Sequence, residues 1–167
     1  MNRLIAAFVF ALLAASLPAS AQGDPCKLLT PAEMESVLGL KVSGFTHGSA
    51  PGGTLTCNGD AGKGKSVGLM LSIQKPGDPK IADPMSWLEN QNRESAKQIG
   101  AQLEMKRFGS SILCTSLITP KMGLFNTQCY AFKPGSMAAV TVLVPTQQEL
   151  VSMDKLRPLA EKMAGRF

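Results

Sequence analysis

Residues 112–133 read ILCTSLITPKMGLFNTQCYAFK. Two runs rich in apolar and β-branched residues flank the turn-forming sequence PKMG, a pattern typical of a β-hairpin. If Lys121 and Met122 form a two-residue turn, Cys114 lies directly opposite Cys129, at a separation that a disulfide can bridge. This stretch therefore predicts an antiparallel strand pair with a disulfide across it.

Further strands are predicted on both sides of this hairpin. Residues 66–73 alternate apolar with small or polar side chains, which predicts a strand with one face in the core. Residues 55–58 pair with it across a Gly-rich turn. Residues 137–144 are apolar at nearly every position and predict a central strand covered on both faces. The stretch 43–56 is rich in Gly, Pro, Ser and Thr and predicts a loop.

Two helices have clear start and stop signals. Thr30 and Glu33 form a capping box with a proline at the first helical position, and Gly39 ends that helix. Asp83 followed by a proline begins a second helix, which runs to about Gly100. Its apolar face is narrow, so we expect it to lie on a surface.

The third helix is predicted near the end of the chain. Thr146 and Glu149 repeat the capping-box pattern and predict its start. Pro158 is expected to kink or split it. An apolar stripe lies along the helix and is formed by Leu150, Met153, Leu156, Leu159, Ala160 and Met163.

These elements predict an α+β domain, with an antiparallel sheet of about five strands packed against three helices. The two halves of the chain are weakly similar, since each has a cysteine, then a strand, then a capped helix. The positions are Cys57, Ser66 and Asp83 in the first half, and Cys129, Met137 and Thr146 in the second. An ancient duplication explains this similarity, and so does chance.

The N-terminus is predicted to be a cleavable signal peptide, residues 1–21. A charged start at Arg3 precedes a short apolar run, and small residues at 19–21 favour cleavage after Ala21. The apolar run is too short for a permanent membrane span, for which about 20 residues are needed. Residues 22–167 are then a single α+β domain, periplasmic or secreted, with no membrane span after cleavage.

Four cysteines follow the signal, and an even number in an oxidising compartment predicts two disulfides. The count alone allows three pairings. The hairpin register favours Cys114–Cys129, and Cys26–Cys57 follows by elimination.

Composition and motifs exclude several functions. The net charge of +5 comes from dispersed basic residues, and aromatic residues are few, so nucleic-acid binding is not expected. GDAGKGKS at 59–66 formally matches a phosphate-binding loop, but the residues after it have a strand pattern, whereas that loop leads into a helix. We therefore interpret it as a hairpin turn and predict no cofactor.

No catalytic or metal-binding residue is predicted. His47, the only histidine, lies in the predicted loop, with no acid spaced to orient it and no nucleophile context around any serine. The methionines are dispersed and are interpreted as core residues, and the cysteines lack the close pairing of a zinc site. Nothing singles out a pair among the sparse carboxylates.

The segment DPCKLLTPAE at 24–33, followed by Leu38 and Gly39 and by Cys57, resembles a family of uncharacterised bacterial secreted domains and lipoproteins. Members begin D-P-C-x-L-L-T, have a short helix ending in Leu-Gly, and bond that first cysteine to one in a following strand. The resemblance implies helices against an antiparallel sheet and supports Cys26–Cys57. It covers mainly the N-terminal third and implies no activity. This chain departs from it in lacking a lipid-anchor cysteine, and in having Gly59 where members have an aromatic residue.

The sequence favours an exported, non-enzymatic domain that binds a protein, peptide or small ligand in the cell envelope. Two disulfides and long Gly-rich loops that could present a surface support this interpretation. The alternatives are a small extracytoplasmic hydrolase that uses carboxylates or His47, and a structural envelope component. Neither the partner nor the oligomeric state can be read from the sequence.

Overall fold

The computed structural model describes residues 23–50, 54–74 and 80–167, so the predicted signal peptide lies outside the described residues. The helices are α1 Pro31–Leu38, α2 Pro84–Ile99 and α3 Met153–Ala164. The strands are β1 Ser43–Ala50, β2 Thr54–Asp60, β3 Ser66–Ile73, β4 Gln102–Phe108, β5 Ile112–Thr119, β6 Leu124–Lys133 and β7 Ser136–Val144. Short 3-10 turns lie at Pro25–Lys27, Pro120–Met122 and Gln147–Glu149.

The strands form one antiparallel sheet in the order β1-β2-β3-β7-β6-β5-β4. The α+β class and the antiparallel sheet are confirmed, but the sheet has seven strands rather than about five. The apolar strand β7 is the fourth of the seven, as its composition predicted. It pairs with β3 on one side and β6 on the other.

The two unexpected strands are both at the edges of the sheet. The prediction of a loop at 43–56 is wrong, because β1 occupies most of this stretch and pairs with β2. His47 lies opposite Cys57 in this pairing. β4 is the other edge strand. Most of the side chains of β1 are exposed, and those of β4 are exposed or half-buried, so neither strand has the strong apolar pattern of a core strand.

The hairpin register is confirmed, since Cys114 lies directly opposite Cys129. Regular pairing ends at Thr119 and Leu124, and a 3-10 turn connects them. Gly123 has a φ of 61° and donates its backbone N–H to the Pro120 carbonyl over 3.2 Å. The register holds because the turn is centred where the sequence placed it.

Both predicted disulfides are present, and no described cysteine is free. The register places Cys114, Cys129, Val140, Leu69 and Cys57 side by side on five consecutive strands. Directly opposite residues in a sheet share a face, so both disulfides lie on one face, which we call the front face.

Helices α1 and α3 cover the front face. The side chains of Leu156, Leu159, Ala160 and Met163 on α3 are fully buried against it, which confirms these four positions of the predicted stripe. Met153 is only partly buried, and Leu150 lies before the helix. Leu28 and Leu29 at the start of the domain are also fully buried. Helix α2 packs on the opposite face, which we call the back face, through Met85 and Leu88.

The predicted ends of α1 and α2 are confirmed. Thr30 accepts a hydrogen bond from the Glu33 amide, and the Glu33 side chain accepts one from the Thr30 amide. Asp83 caps α2 and Gly100, in the left-handed conformation, ends it.

The predicted start of α3 is wrong. Residues 147–149 form only a 3-10 turn, and α3 begins at Met153 with Ser152 as its cap. Glu149 binds Lys65, with 2.8 Å between Nζ and Oε1, instead of capping a helix. Pro158 does not split α3. It is the sixth residue of the helix and, lacking an N–H, leaves the Asp154 carbonyl without its usual backbone donor. Asp154 is exposed to solvent, so this lost hydrogen bond is tolerated.

The predicted duplication is matched by the strand order but not by the helices. The meanders β1-β2-β3 and β5-β6-β7 meet at the β3–β7 pairing, and Cys57 and Cys129 lie in corresponding places. The helix after β3 covers the back face, whereas the helix after β7 covers the front face. Duplication therefore stays a prediction.

The termini of the domain are joined by Glu33 and Arg166, with two nitrogen–oxygen distances of 2.6 and 2.7 Å. The Arg166 guanidinium and the amide and hydroxyl of Thr30 outweigh desolvation and lower the pKa of Glu33 from 4.5 to about 2. Because the pKa is lowered on folding, this contribution to stability is present above about pH 4.5 and is lost as the pH falls towards 2.

We predict that Glu33→Gln lowers the free energy of unfolding at pH 7 by about 1–2 kcal/mol, after allowance for solvent screening. Glutamine can still cap α1, so the ion pair is the main loss. Urea unfolding followed by circular dichroism should show a smaller loss of stability with acid in the variant than in the parent. Glu35→Gln, on the exposed side of α1, is the control. If the free energy of unfolding of the parent and of Glu33→Gln fell in parallel with decreasing pH, the stabilising role of the Glu33 carboxylate would be contradicted.

Candidate ligand-binding cleft

A cleft of about 410 Å³ lies between the back face of the sheet and the start of α2. Ser72, Met137 and Phe132 lie side by side on three neighbouring strands and form its floor. These residues alternate with front-face residues along their strands, so they point away from the disulfides. The floor is thus part of the sheet and is fixed by its register.

The wall of the cleft is formed by Ile81, Pro84 and Trp87, from the segment before α2 and its first turn. Ile73, at the end of β3, lines the cleft as well. The exposed fractions are 52% for Ile73, 47% for Trp87 and 45% for Ile81. Among the described residues, six large apolar side chains are exposed, and three of them line this cleft. Because exposed apolar groups are usually scattered over a protein surface, this clustering makes the cleft a candidate binding surface.

The polar groups of the cleft are mainly uncharged. Thr54, Ser72 and Ser136 line it, and at its end the backbone amide of Gln74 donates to the Gly135 carbonyl over 2.8 Å. Lys133 is the charged residue among those that line it.

The ammonium group of Lys133 already contacts Phe167. Its Nζ donates a hydrogen bond to the backbone oxygen of Phe167 and lies 5.0 Å from the centre of the Phe167 ring. The described residues of the cleft therefore offer mainly apolar contact and neutral polar groups.

An ion-pair network fixes the wall of the cleft to the sheet. Arg107 on β4 binds Glu89 on α2 through Nε and Nη2, at 2.5 and 2.9 Å, and also donates to the Ser86 hydroxyl over 2.9 Å. Asp83 caps the same turn through the Ser86 amide. The Arg107 guanidinium lowers the pKa of Glu89, so this carboxylate stays charged. Trp87 lies between Ser86 and Leu88 in sequence, so its position depends on this network.

Below α2, an aromatic pair supports the cleft. The rings of Tyr130 and Phe132 are stacked with their centres 6.3 Å apart. Burial of the Tyr130 side chain raises its pKa to about 12. This phenol is therefore neutral at physiological pH.

The phosphate-loop match at 59–66 is a hairpin turn, as predicted. Asp60 accepts a hydrogen bond from the Gly62 amide over 2.8 Å, and Ala61 and Lys65 are joined by a backbone hydrogen bond of 3.0 Å. Strand β3 follows it directly, so no helix N-terminus is present here to hold a phosphate.

His47 has an acidic neighbour that the sequence analysis missed. Its Nε2 lies 3.1 Å from Oδ1 of Asp24, which is 23 residues earlier in the chain and lies two residues from the disulfide-bonded Cys26. Desolvation acts to raise the pKa of Asp24, but hydrogen bonds from the Cys26 amide, His47 and Lys27 outweigh it and lower the pKa. Among the described residues, no serine hydroxyl is hydrogen-bonded to this histidine.

The comparisons with known proteins leave the family open. No protein-family model matches the chain, and no curated protein matches it. Among solved structures, the solution structure of cyanobacterial PsbP (CyanoP) from Synechocystis sp. PCC 6803 is similar with a TM-score of 0.39. It is 10% identical over 74% of this chain and 81% of that chain, and no functional argument rests on so weak a likeness. The resemblance to D-P-C secreted domains stays a prediction.

None of the described helices is both long enough and apolar enough to cross a bilayer.

We predict that Arg107→Ala loosens α2 and increases quenching of Trp87 fluorescence by acrylamide. Trp87 is the single tryptophan of the chain, so its emission reports on this wall directly. Arg157→Ala removes another surface ion pair, with Glu161 on α3, and should leave the quenching constant unchanged. Equal quenching in parent and Arg107→Ala would show that the network does not position the wall.

Proposed function

We propose that this protein is an exported, non-enzymatic binding domain, and that the cleft beside α2 holds its ligand. The observation that carries the proposal is the grouping of Trp87, Ile81 and Ile73 around an open cavity above the back face of the sheet. Burying these side chains against a ligand removes apolar surface from water and stabilises the complex.

The shape and chemistry of the cleft define the class of ligand. A volume of about 410 Å³ is in the range of small-ligand sites and is large enough for one aromatic or branched side chain of a peptide. The hydroxyls of Ser72 and Ser136 can bind amide or hydroxyl groups at the edge of that apolar group. We therefore propose a ligand with an apolar anchor and neutral hydrogen-bonding groups, either a peptide segment or a small molecule.

Export is supported by the predicted signal peptide and by two formed disulfides, since disulfides persist in oxidising compartments. We propose the periplasm or the extracellular medium as the site of action. The ligand would then be an envelope or extracellular component.

Binding is tested by fluorescence titration of Trp87. The probes are blocked tripeptides whose central residue is phenylalanine, leucine or serine, together with a neutral aromatic amphiphile. We expect a saturable blue shift of the emission with the phenylalanine or leucine peptides or with the amphiphile, and none with the serine peptide, because the apolar group displaces water from the indole ring.

Ile81→Ser is expected to weaken this binding about tenfold or more, since it removes the contact of one large apolar side chain with the ligand. Met122→Ser, at the exposed turn between β5 and β6, is the matched control and should leave binding unchanged. Absence of a saturable response to every apolar probe would contradict the proposal, as would equal weakening by the control.

A hydrolase is the second candidate, and the Asp24–His47 pair favours it over a purely structural role. The carboxylate could orient the imidazole as a general base. An extracytoplasmic hydrolase panel, comparing parent with His47→Ala, tests this: an activity that the variant lacks would support it.

A further inference from the structure

A group of potential ligand residues that the proposed binding cleft does not use lies at the edge strand β1, where His47 is opposite the front-face residue Cys57. Asp24, Cys26 and His47 each offer a ligand atom, and these three atoms lie within 4.8 Å of one another. Cys57 is bonded to Cys26 and lies directly opposite His47 on the neighbouring strand. One carboxylate, one imidazole and one sulfur therefore lie within 4.8 Å of one another, and the second sulfur is bonded to the first.

We propose that reduction of the Cys26–Cys57 disulfide converts this group into a zinc site with Asp24, Cys26, Cys57 and His47 as ligands. Two thiolates, an imidazole and a carboxylate are all established zinc ligands, and a tetrahedral site needs four. In the disulfide form neither sulfur is a thiolate, so only the imidazole and the carboxylate remain and the site is incomplete.

The distances among Asp24, Cys26 and His47 require only small movements, and Cys57, bonded to Cys26, lies on the strand next to His47. Ligand atoms of a tetrahedral zinc site lie about 3.3–3.8 Å apart, as follows from the usual zinc–nitrogen and zinc–sulfur bond lengths. Nε2 of His47 and Oδ1 of Asp24 are already 3.1 Å apart, and the largest separation among the three atoms is 4.8 Å or less. Rotation of exposed side chains can close that difference, since the side chain of His47 is 68% exposed.

The segment that holds Asp24 and Cys26 has anchors besides the disulfide. Leu28 and Leu29 are fully buried in the core, and the Leu28 carbonyl accepts a hydrogen bond of 2.9 Å from Arg166. Asp24 also accepts a hydrogen bond of 2.9 Å from the Cys26 amide, which fixes the carboxylate beside the sulfur. We therefore expect the ligands to stay close together when the sulfur–sulfur bond is broken.

Lys27 is the competing group, since its Nζ lies 3.5 Å from Oδ2 of Asp24. Its side chain is 72% exposed and can move to solvent when a metal ion replaces it. A divalent cation holds the carboxylate more strongly than an exposed ammonium does, because exposed ion pairs contribute little.

The reaction balances with a dithiol as reductant, such as an extracytoplasmic thiol reductase. Its two thiols pass two electrons and two protons to Cys26–Cys57, giving two cysteine thiols in this protein and a disulfide in the reductase. Zinc binding then displaces one proton from each cysteine thiol and leaves two thiolate–zinc bonds. The site thus couples the redox state of the envelope to metal affinity.

The second disulfide is an internal control. Cys114 and Cys129 are fully buried, and no other cluster of three or more potential ligands is found among the described residues. Reducing this pair should create no metal site.

Cobalt(II) is the spectroscopic probe for this site, and it is titrated into oxidised and phosphine-reduced protein. We expect the reduced protein to bind one equivalent with the thiolate-to-cobalt absorption and strong visible bands of a tetrahedral site, which zinc then displaces. The oxidised protein should show neither band.

Variants separate the site from nonspecific thiol binding. Asp24→Ala and His47→Ala are each expected to weaken cobalt binding to the reduced protein by more than about tenfold, while the double variant Cys114→Ser/Cys129→Ser should keep it. Circular dichroism of each reduced protein reports whether the sheet remains folded. Binding that is absent, that needs neither Asp24 nor His47, or that occurs only in an unfolded chain would overturn the proposal.

Discussion

The pairing of β3 with β7 is the constraint on which the rest of the structure depends. All eight residues of β3, Ser66–Ile73, are paired with β7, and this contact joins two antiparallel meanders into one sheet. Without it there is no continuous front face for α1 and α3 to cover. Leu69 and Val140 lie at its centre, in the same row as both disulfides, so the covalent links reinforce the strands next to this pair.

The two faces of the sheet are packed unequally, and this difference places the cleft. On the front face, the inward side chains of α3 are fully buried. On the back face, α2 packs through Met85, Leu88 and Ala96, and the Arg107–Glu89 network fixes its first half. The space beside its first turn stays open, and the apolar side chains of Ile81 and Trp87 there remain exposed.

Local patterns in the sequence were sufficient to predict the central elements of the fold. Residues close together in the chain predict the register of the β5–β6 hairpin and the caps of α1 and α2. The apolar composition of β7 likewise predicts its central position. The edge strands β1 and β4 were missed because their side chains have little apolar periodicity. The start of α3 was misplaced because Lys65, far away in sequence, binds Glu149.

The candidate sites could not be predicted for a related reason. The cleft forms where the start of α2 passes over the ends of β3 and β7, and no local motif marks such a crossing. Asp24 approaches His47 because the segment around it is held by buried Leu28 and Leu29 as well as by the Cys26–Cys57 disulfide, so spacing along the chain gave no sign of the contact. Both sites are consequences of tertiary structure.

The central claim is that a firmly packed front face and the β3–β7 pair support a more weakly held back face that carries the cleft. Native-state hydrogen exchange measures this difference residue by residue. The account predicts that amides of β3 and β7 exchange only through global unfolding, whereas those of α2 exchange through an opening of lower free energy. Amides of α2 as protected as those of β7, or a β3–β7 pair that opens first, would contradict it.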